Sequence, residues 1–530
     1  MSKNQSDFYC VLESLAECFK RNGIREIFGV VGDPITSLVA FAETRGIKYF
    51  GFRNEQAASY ASSAVAFLTQ RARTGVCLTV AGPGFVNALT GLANAHVNRW
   101  PNILVCPYVN EATAFQSIDQ KNCLEPICKG YFVFDGHFDS VRSAVSLANT
   151  SPFGSVVIFV STTVVVPQSL IPKNSIVTRK NSKLFSSDKT LVIIGGSVPL
   201  YPETFSAIRS LIENGFPFLA DSMARGVVPE THLNCVSAAR SKAFASCCSA
   251  LIIGGRIDWM LSFGKPPKWN PQCKFILFSD DPIYPTDLEA RVSLIPISGF
   301  ASVAGMIQRP DSYWVDDLIA TANANKNKHL KIISAISKKV LPSHHEAIGA
   351  IKKAIAYAGL GDALVVSEGA NTMDAARVAL DAIRSPCKRL DAGRWGTMGV
   401  GLGFVLAAHA IDPEAPVVCI EGDSAFGFSG MELETIVRYK CKAVIFVFNN
   451  GGIYTGAASN ATAFSPHVKH DLIMRAFGGT AFSTEGRDAG TVQEIAVHAF
   501  SLLSKGTFPI LVDVIIHPAS GVLSGSVSRL

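Results

Sequence analysis

Charge is what this sequence has least of. Only 17% of its 530 residues are Asp, Glu, Lys or Arg, against roughly a quarter in ordinary soluble chains. The 48 basic and 42 acidic residues leave a formal charge of +6 with no basic run and no acidic tail, so the electrostatic footprint of a nucleic-acid binder is missing. Paired cysteine modules are missing too. The 13 cysteines include no CxxC, and neither Cys123 with Cys128 nor the adjacent Cys247 and Cys248 has the spacing of a zinc site. Free, mostly buried thiols in a reducing compartment are expected. No apolar run is long enough to span a bilayer. Ser143 to Pro172 lacks charge, but its apolar part, Val156 to Val166, is short and broken by Ser161, Thr162 and Thr163, so it reads as buried strand. Met1 to Cys10 lacks the apolar core of a signal peptide, which argues against export. A chain that is 48% hydrophobic and short of charge must hide much of its surface, and subunit interfaces are the expected place.

What is there has the length of three to four domains. From Phe8 to Pro167 helical and strand patterns alternate: an apolar helix face through Leu12, Leu15 and Phe19, then strands at Glu26 to Val31, Ile47 to Phe52, Val76 to Val80 and Ile103 to Val105. This predicts a parallel α/β domain over residues 1–170. Residues 171–189 are polar and aperiodic, a linker. Residues 190–310 carry the strands LVIIGG, ALIIGG and KFILF, and strand followed by Gly-Gly and helix predicts a Rossmann-like middle domain. After a polar, helical stretch over 311–343, a third α/β block fills 344–530 and resembles the first in architecture.

The sharpest local feature is Glu421-Gly422-Asp423-Ser424-Ala425-Phe426-Gly427, between an apolar strand at Val417 to Ile420 and an amphipathic helix at Met431 to Tyr439. Such a turn presents backbone amides to a phosphate. Asn450 follows 27 residues after Asp423, at the end of the apolar strand Ala443 to Phe448. If neighbouring parallel strands end at one sheet edge, the Asp423 carboxylate, the Asn450 amide oxygen and the Gly452 carbonyl meet there. They are hard oxygen ligands suited to Mg²⁺ on a diphosphate. Upstream, Glu55 in Arg53-Asn54-Glu55-Gln56 is a carboxylate at the end of a strand read as buried, Tyr49 to Phe52, and needs a partner.

With Gly422-Asp423-Ser424, Asn449-Asn450 and Glu55 on the page, the chain resembles the thiamine-diphosphate enzymes. The likeness runs through TVAGPGFVNALTGLANAHVNRWP from Thr79, EGANTMD from Glu368, GDSAFGFSGMELET from Gly422 and NNGGIY from Asn449. Within that family it resembles the 2-hydroxyacyl-CoA lyase and oxalyl-CoA decarboxylase branch. The resemblance implies a three-domain α/β fold, two cofactor-binding parallel α/β domains flanking the Rossmann-like one. It also implies thiamine diphosphate and Mg²⁺ as cofactors, with Asp423, Asn450 and Gly452 on the metal. Glu55, Asn371, Gly396, Met398, Gly422, Asp423, Ser424, Ala425, Asn450, Gly452, Ile453 and Tyr454 would hold the cofactor. Glu55 would drive the aminopyrimidine into its imino form; the family's usual histidine before it is here Asn54, so a relay through that neighbour is not expected. Each site would combine Glu55 of one subunit with the metal end of another, making a dimer the minimum assembly and a tetramer the expected one.

The resemblance also bounds the substrate. A 2-hydroxyacyl-CoA would yield formyl-CoA and an aldehyde one carbon shorter, as in fatty acid α-oxidation; oxalyl-CoA would yield formyl-CoA and carbon dioxide. Phe115-Gln116 resembles the lyases, whereas the decarboxylases carry Tyr-Glu there, and this favours an apolar acyl group. Asn449-Asn450-Gly451-Gly452 and the tail around Ser524 resemble decarboxylases. Phe115, Gln116 and Tyr454 are the expected catalytic neighbours of Glu55, with Ser524, Arg256 and Lys265 as substrate contacts. Some members bind an ADP-like nucleotide in the middle domain, Arg256 meeting a phosphate; Ser279 stands where an acid is expected, which argues against that ligand here. An NAD-dependent dehydrogenase would use the Gly-Gly turns but leaves Glu55, Asp423 and Asn450 without a role, and Gly399, Gly401 and Gly403 follow no strand. A non-catalytic binding subunit would require those three residues to be gone. The terminal Ser528-Arg529-Leu530 matches the tripeptide read by the peroxisomal import receptor, so a peroxisome is expected and the cytoplasm is the alternative.

Overall fold

The computed structural model describes residues 3–109, 113–134, 136, 138–161, 187–334, 341–380, 384–454, 456, 460–466 and 468–518. The terminal Ser528-Arg529-Leu530, Ser524 and most of residues 171–189 lie outside them. Three parallel sheets organise the chain. The first has β1 Glu26–Gly29, β2 Lys48–Gly51, β3 Gly75–Leu78, β4 Asn102–Pro107, β5 Tyr131–Phe134 and β6 Ser155–Val160, in the order β2-β1-β3-β4-β6-β5. The second has β7 Thr190–Ile194, β8 Phe218–Ala220, β9 Ser249–Ile253, β10 Lys274–Phe278 and β11 Val292–Ile295, ordered β11-β10-β9-β7-β8. The third has β12 Leu364–Ser367, β13 Arg389–Leu390, β14 Val417–Gly422, β15 Ala443–Asn449, β16 Thr480–Ser483 and β17 Ile510–Ile515, ordered β13-β12-β14-β15-β17-β16. The third therefore repeats the strand order of the first. That is the architectural likeness read from the sequence, and an α/β fold is what the strands and their crossover helices make.

Each sheet is buried by its own apolar residues. Ile27, Val76, Ile103 and Ile158 are fully buried in the first sheet's core with Leu12, Leu15 and Phe19 from the helix Lys3–Arg21. Ile193, Ile252 and Leu277 anchor the second, and Val418, Ile420, Val444 and Val512 the third. Strands of this kind read as unbroken apolar runs because helices cover both faces. The chain divides into two compact units, one of residues 1–175, 394–415 and 427–442, the other of 176–393, 416–426 and 443–530. The segments around the helices Gly401–Ile411 and Glu432–Arg438 thus belong with the first sheet although they come late in the sequence.

Part of the missing charge is accounted for inside the chain. In the helix Glu55–Leu68 every residue from Ala57 to Phe67 is buried, and the helix Gly401–Ile411 exposes almost nothing. The 13 cysteines are free thiols, only Cys10 and Cys248 being exposed. No helix among the described residues is long and apolar enough to cross a membrane.

Candidate functional site

In the third sheet β14 and β15 are parallel neighbours with Gly422 opposite Phe448, so Asp423 and Asn450 leave the same edge. The carboxylate of Asp423, 4% exposed, is the hub. Its Oδ2 accepts the N–H groups of Asn450 at 3.1 Å, Gly451 at 3.0 Å and Gly452 at 3.1 Å, while Oδ1 accepts Ser424 N–H at 2.8 Å. Three successive amides on one oxygen form an anion-binding concavity, here filled by the protein's own acid. Burial nevertheless pushes this carboxyl up to about 6, the amide donors and His470 pulling the other way. A buried carboxylate whose neutral donors do not fully offset its desolvation is the kind of group a divalent cation completes. The donor set therefore fits Mg²⁺: the Asp423 carboxylate and Asn450 Oδ1, which share the Gly452 N–H, are hard oxygens on one turn.

The loop after β15 is fixed by its own polar atoms. Asn450 Nδ2 donates to the Tyr454 carbonyl at 2.8 Å, and Asn371 Nδ2, from the helix Ala370–Ala379, donates to the same oxygen at 3.1 Å. Asn450 Oδ1 accepts Gly452 N–H at 3.2 Å, and Ile453 N–H bonds Thr462 O at 2.9 Å. Tyr454 has φ +53° and a 65% exposed side chain, so its backbone organises the loop while its phenol faces outward. Two partners in this region gave no clear signal in sequence. Asp513 on β17 accepts Asn449 Nδ2 at 3.3 Å and His470 N–H at 3.2 Å; a lone acid in the strand ILVDVI was the available clue. Beneath the turn, Glu421 and Glu368 are both fully buried. Burial pushes Glu421 up to about 7, with Cys419 Sγ donating to it at 3.3 Å.

Glu55 stands at the N-terminus of a helix, the end where a carboxylate is favoured. It is the first residue of the helix Glu55–Leu68, and Asn54, in the place of the family histidine, is the N-cap, its side chain accepting Gln56 N–H at 2.7 Å. The preceding strand departs from expectation: β2 is the edge strand, with Lys48 exposed and only its exit, Phe50 and Phe52, buried. Glu55 is half-buried, and its Oε2 accepts Asn87 Nδ2 at 3.1 Å. The Ala81-Gly82-Pro83-Gly84 turn lies between Glu55 and the Phe115-Gln116 pair. A Cβ on Gly84 would stand 3.1 Å from Glu55 Oε1, and one on Gly82, at φ +57°, would stand 2.5 Å from the Gln116 carbonyl. Gln116 itself has φ +60°, and the Phe115 ring is 87% exposed. Strained residues of this kind persist where surroundings over-determine them, and Gln116 and Tyr454 are both among them.

Gly396 to Met398 is tied to the helix that Glu55 begins. Gln56 Nε2 donates to Tyr60 Oη at 2.9 Å, and Tyr60 Oη bonds Thr397 Oγ1 at 2.7 Å and the Met398 carbonyl at 3.2 Å. Met398 is half-buried, and Gly396 is exposed at φ +70°. In the second sheet, Arg256 pairs with Asp281 and Lys265 with Asp287 at 3.0 Å. Ser279 accepts Asp281 N–H at 3.1 Å, and Asp280 accepts Tyr201 Oη and Ile297 N–H at 3.2 Å each. Those polar groups serve one another.

Comparison with known proteins places the chain in a family. Residues 11–123 match the N-terminal TPP binding domain of thiamine pyrophosphate enzymes, 179–301 the central domain and 368–514 the C-terminal TPP binding domain. The chain is 34% identical to an oxalyl-CoA decarboxylase of Escherichia coli strain K12, covering 97% of this chain and 96% of that protein. It is 35% identical to a 2-hydroxyacyl-CoA lyase of Oryza sativa, over 95% and 94%, and 33% identical to the 2-hydroxyacyl-CoA lyase 1 of Homo sapiens, over 95% and 94%. With its three domain matches in order and relatives aligned along nearly their whole length, the chain belongs to the thiamine pyrophosphate enzyme family.

Proposed function

We propose that this enzyme is a 2-hydroxyacyl-CoA lyase. The bond between the thioester carbonyl carbon and C2 breaks, the C2 hydroxyl loses its proton to give an aldehyde one carbon shorter, and the carbonyl carbon gains a hydrogen to leave as formyl-CoA. Bound thiamine diphosphate supplies a carbon nucleophile and then accepts the electron pair of the broken bond. The observation that carries the choice of substrate is Phe115: its ring is 87% exposed, on a turn packed against the same loop as Glu55. An apolar side chain there suits an alkyl chain, and Gln116 beside it carries no charge to oppose one. Oxalyl-CoA decarboxylation is the second reading, favoured by 34% identity to the Escherichia coli decarboxylase over almost the full length.

In this reading domain 1–170 takes the pyrimidine ring and 344–530 the diphosphate and Mg²⁺. Glu55 shares a proton with the ring, Asn87 orienting its carboxylate. Asp423, Asn450 and Gly452 hold the cation; Gly422, Ser424, Ala425, Asn371, Ile453 and Tyr454 shape the diphosphate turn; Gly396 and Met398 border the ring. Arg256, Lys265 and Ser524 are the proposed CoA-side contacts, although Arg256 and Lys265 must first release Asp281 and Asp287. We place the enzyme in the peroxisome through Ser528-Arg529-Leu530, as a dimer or tetramer. The test offers purified protein thiamine diphosphate, Mg²⁺ and, separately, a long-chain 2-hydroxyacyl-CoA and oxalyl-CoA. Aldehyde with formyl-CoA from the first is expected; carbon dioxide from the second alone would make it the decarboxylase.

A further inference from the structure

Glu55 needs its main chain held, because among the described residues the side chain that donates to its carboxylate is Asn87 and its strand lies at a sheet edge. Residues 432–439 hold it. Glu432, 1% exposed, turns its carboxylate onto the two peptides that precede Glu55. Oε1 accepts Arg53 N–H at 3.1 Å and Asn54 N–H at 3.0 Å, and Oε2 accepts Arg53 N–H at 3.3 Å and Thr435 Oγ1–H at 2.6 Å. One turn further along, Arg438 Nη2 donates to the Gly51 carbonyl at 2.7 Å, and Gly51 N–H donates to Tyr439 Oη at 2.8 Å. Phe52 N–H remains in the sheet, on Gly29 O. From Gly51 to Asn54 the exit of the edge strand is thus tied down by side chains nearly four hundred residues away.

We infer that Glu432 is a positioning residue for Glu55: its buried carboxylate clamps the Arg53 and Asn54 amides and so fixes where the helix, and Glu55 with it, begins. The inference rests on the reading of Glu55 as the group that shares a proton with the cofactor ring. A carboxylate reaching two consecutive amides fixes a peptide plane more tightly than one neutral acceptor does. It leaves the lone pairs of Glu55 itself available for proton exchange. Burial pushes the Glu432 carboxyl up to about 7 against the pull of its three donors and the Arg438 charge, as expected of an acid kept in the interior for its geometry.

The experiment compares wild type, Glu432→Gln, Glu432→Ala and Glu55→Gln. One readout is deuterium exchange at C2 of thiamine diphosphate bound with Mg²⁺, a measurement that needs no acyl-CoA. The other is amide exchange at Arg53 and Asn54 in the protein without cofactor. We expect Glu432→Ala to slow C2 exchange about 10- to 100-fold, within the range for misplaced proton-transfer groups. Glu432→Gln, which keeps one oxygen acceptor, should slow it about 3- to 10-fold. Both should speed amide exchange at Arg53 and Asn54 with cofactor affinity held within about 3-fold. If Glu432→Ala does not fold, the isosteric Gln variant decides. C2 exchange at the wild-type rate in a folded Glu432 variant, alongside slow exchange in Glu55→Gln, overturns the positioning role alone. Wild-type exchange in Glu55→Gln overturns the reading of Glu55 and this inference with it.

Discussion

The two acids proposed as metal ligand and proton-sharing group are held in opposite ways. Asp423 has its carboxylate held directly, four backbone amides converging on two oxygens, whereas Glu55 has one side-chain amide on its carboxylate and the backbone just before it pinned instead. The difference follows from the work proposed for each. A metal ligand must stay anionic and in one place, and a ring of donors serves both needs. A group that gives up and recovers a proton needs open lone pairs and a fixed Cα. Charge-assisted hydrogen bonds thus fall on the Asp423 side chain in one case and on the main chain before Glu55 in the other.

The largest effect should come from Glu55→Gln. The amide keeps the Asn87 contact but cannot share a proton, so turnover should fall by about 10²- to 10⁴-fold with thiamine diphosphate still bound, as read by kcat against cofactor affinity. Retained turnover would dissolve the contrast. Asp423→Asn should act differently: it replaces one acceptor with an N–H₂ facing amide donors, so Mg²⁺-dependent cofactor binding is lost. The cofactor-free protein should also lose about 1–3 kcal/mol, measured as a lower Tm. Cofactor binding that survives with its Mg²⁺ requirement intact would remove Asp423 as the metal anchor.

A smaller pair of substitutions separates the neighbours of Glu55. Gly82→Ala meets the Gln116 backbone and a positive φ, and Gly84→Ala meets the Val80 side chain at 2.7 Å and then the movable end of Glu55 at 3.1 Å. We expect Gly82→Ala to cost about 1–3 kcal/mol and to raise KM for acyl-CoA through the Phe115-Gln116 turn. Gly84→Ala should lower kcat by about 3- to 10-fold with KM nearly unchanged. Equal effects on both parameters in both variants would mean that the loop acts as one rigid body.

Much of this was legible because parallel sheets write themselves as apolar runs. LVIIGG, KFILF and the Gly-Asp-Ser and Asn-Asn strand exits predicted the sheets and brought Asp423 and Asn450 to one edge. The likeness of the first and third blocks emerged as the same strand order. What escaped was polar pairing over long separations. Glu432 lies in an amphipathic helix where an acid looks solvated, and nothing local says that it will meet the amides of Arg53 and Asn54. The edge position of β2 escaped for the same reason, since strand order is set by crossovers rather than by the strand's own composition. Asp513 escaped as well, although an acid inside the apolar strand ILVDVI was an available clue.

Protonation gives the finest test of the contrast, because the buried histidines beside the third sheet and Glu432 titrate with opposite signs. On the Asp423 side, His344 opens the helix His344–Tyr357 and stacks on Phe448, and His345 faces His329. Burial holds both His344 and His345 down at about 4, each with a neighbouring histidine adding to the shift. Below their unfolded value of about 6.5 the unfolded chain binds protons that the native helix refuses. Stability there falls as pH drops from about 6.5 towards 4, by up to roughly 3 kcal/mol per histidine. On the Glu55 side, Glu432 is raised to about 7. Its native form holds a proton that the unfolded chain releases near its ordinary value, so its contribution is present at low pH and is lost as pH climbs from about 4.5 through 7. Amide exchange corrected for intrinsic rates, followed from pH 7.5 to 5, should therefore show the His344–Tyr357 helix losing protection while Arg53 and Asn54 hold or gain it. The histidine slope should flatten in His345→Gln. Parallel loss in both segments would mean that one global transition governs them, and that the two acids, however differently held, are not stabilised independently.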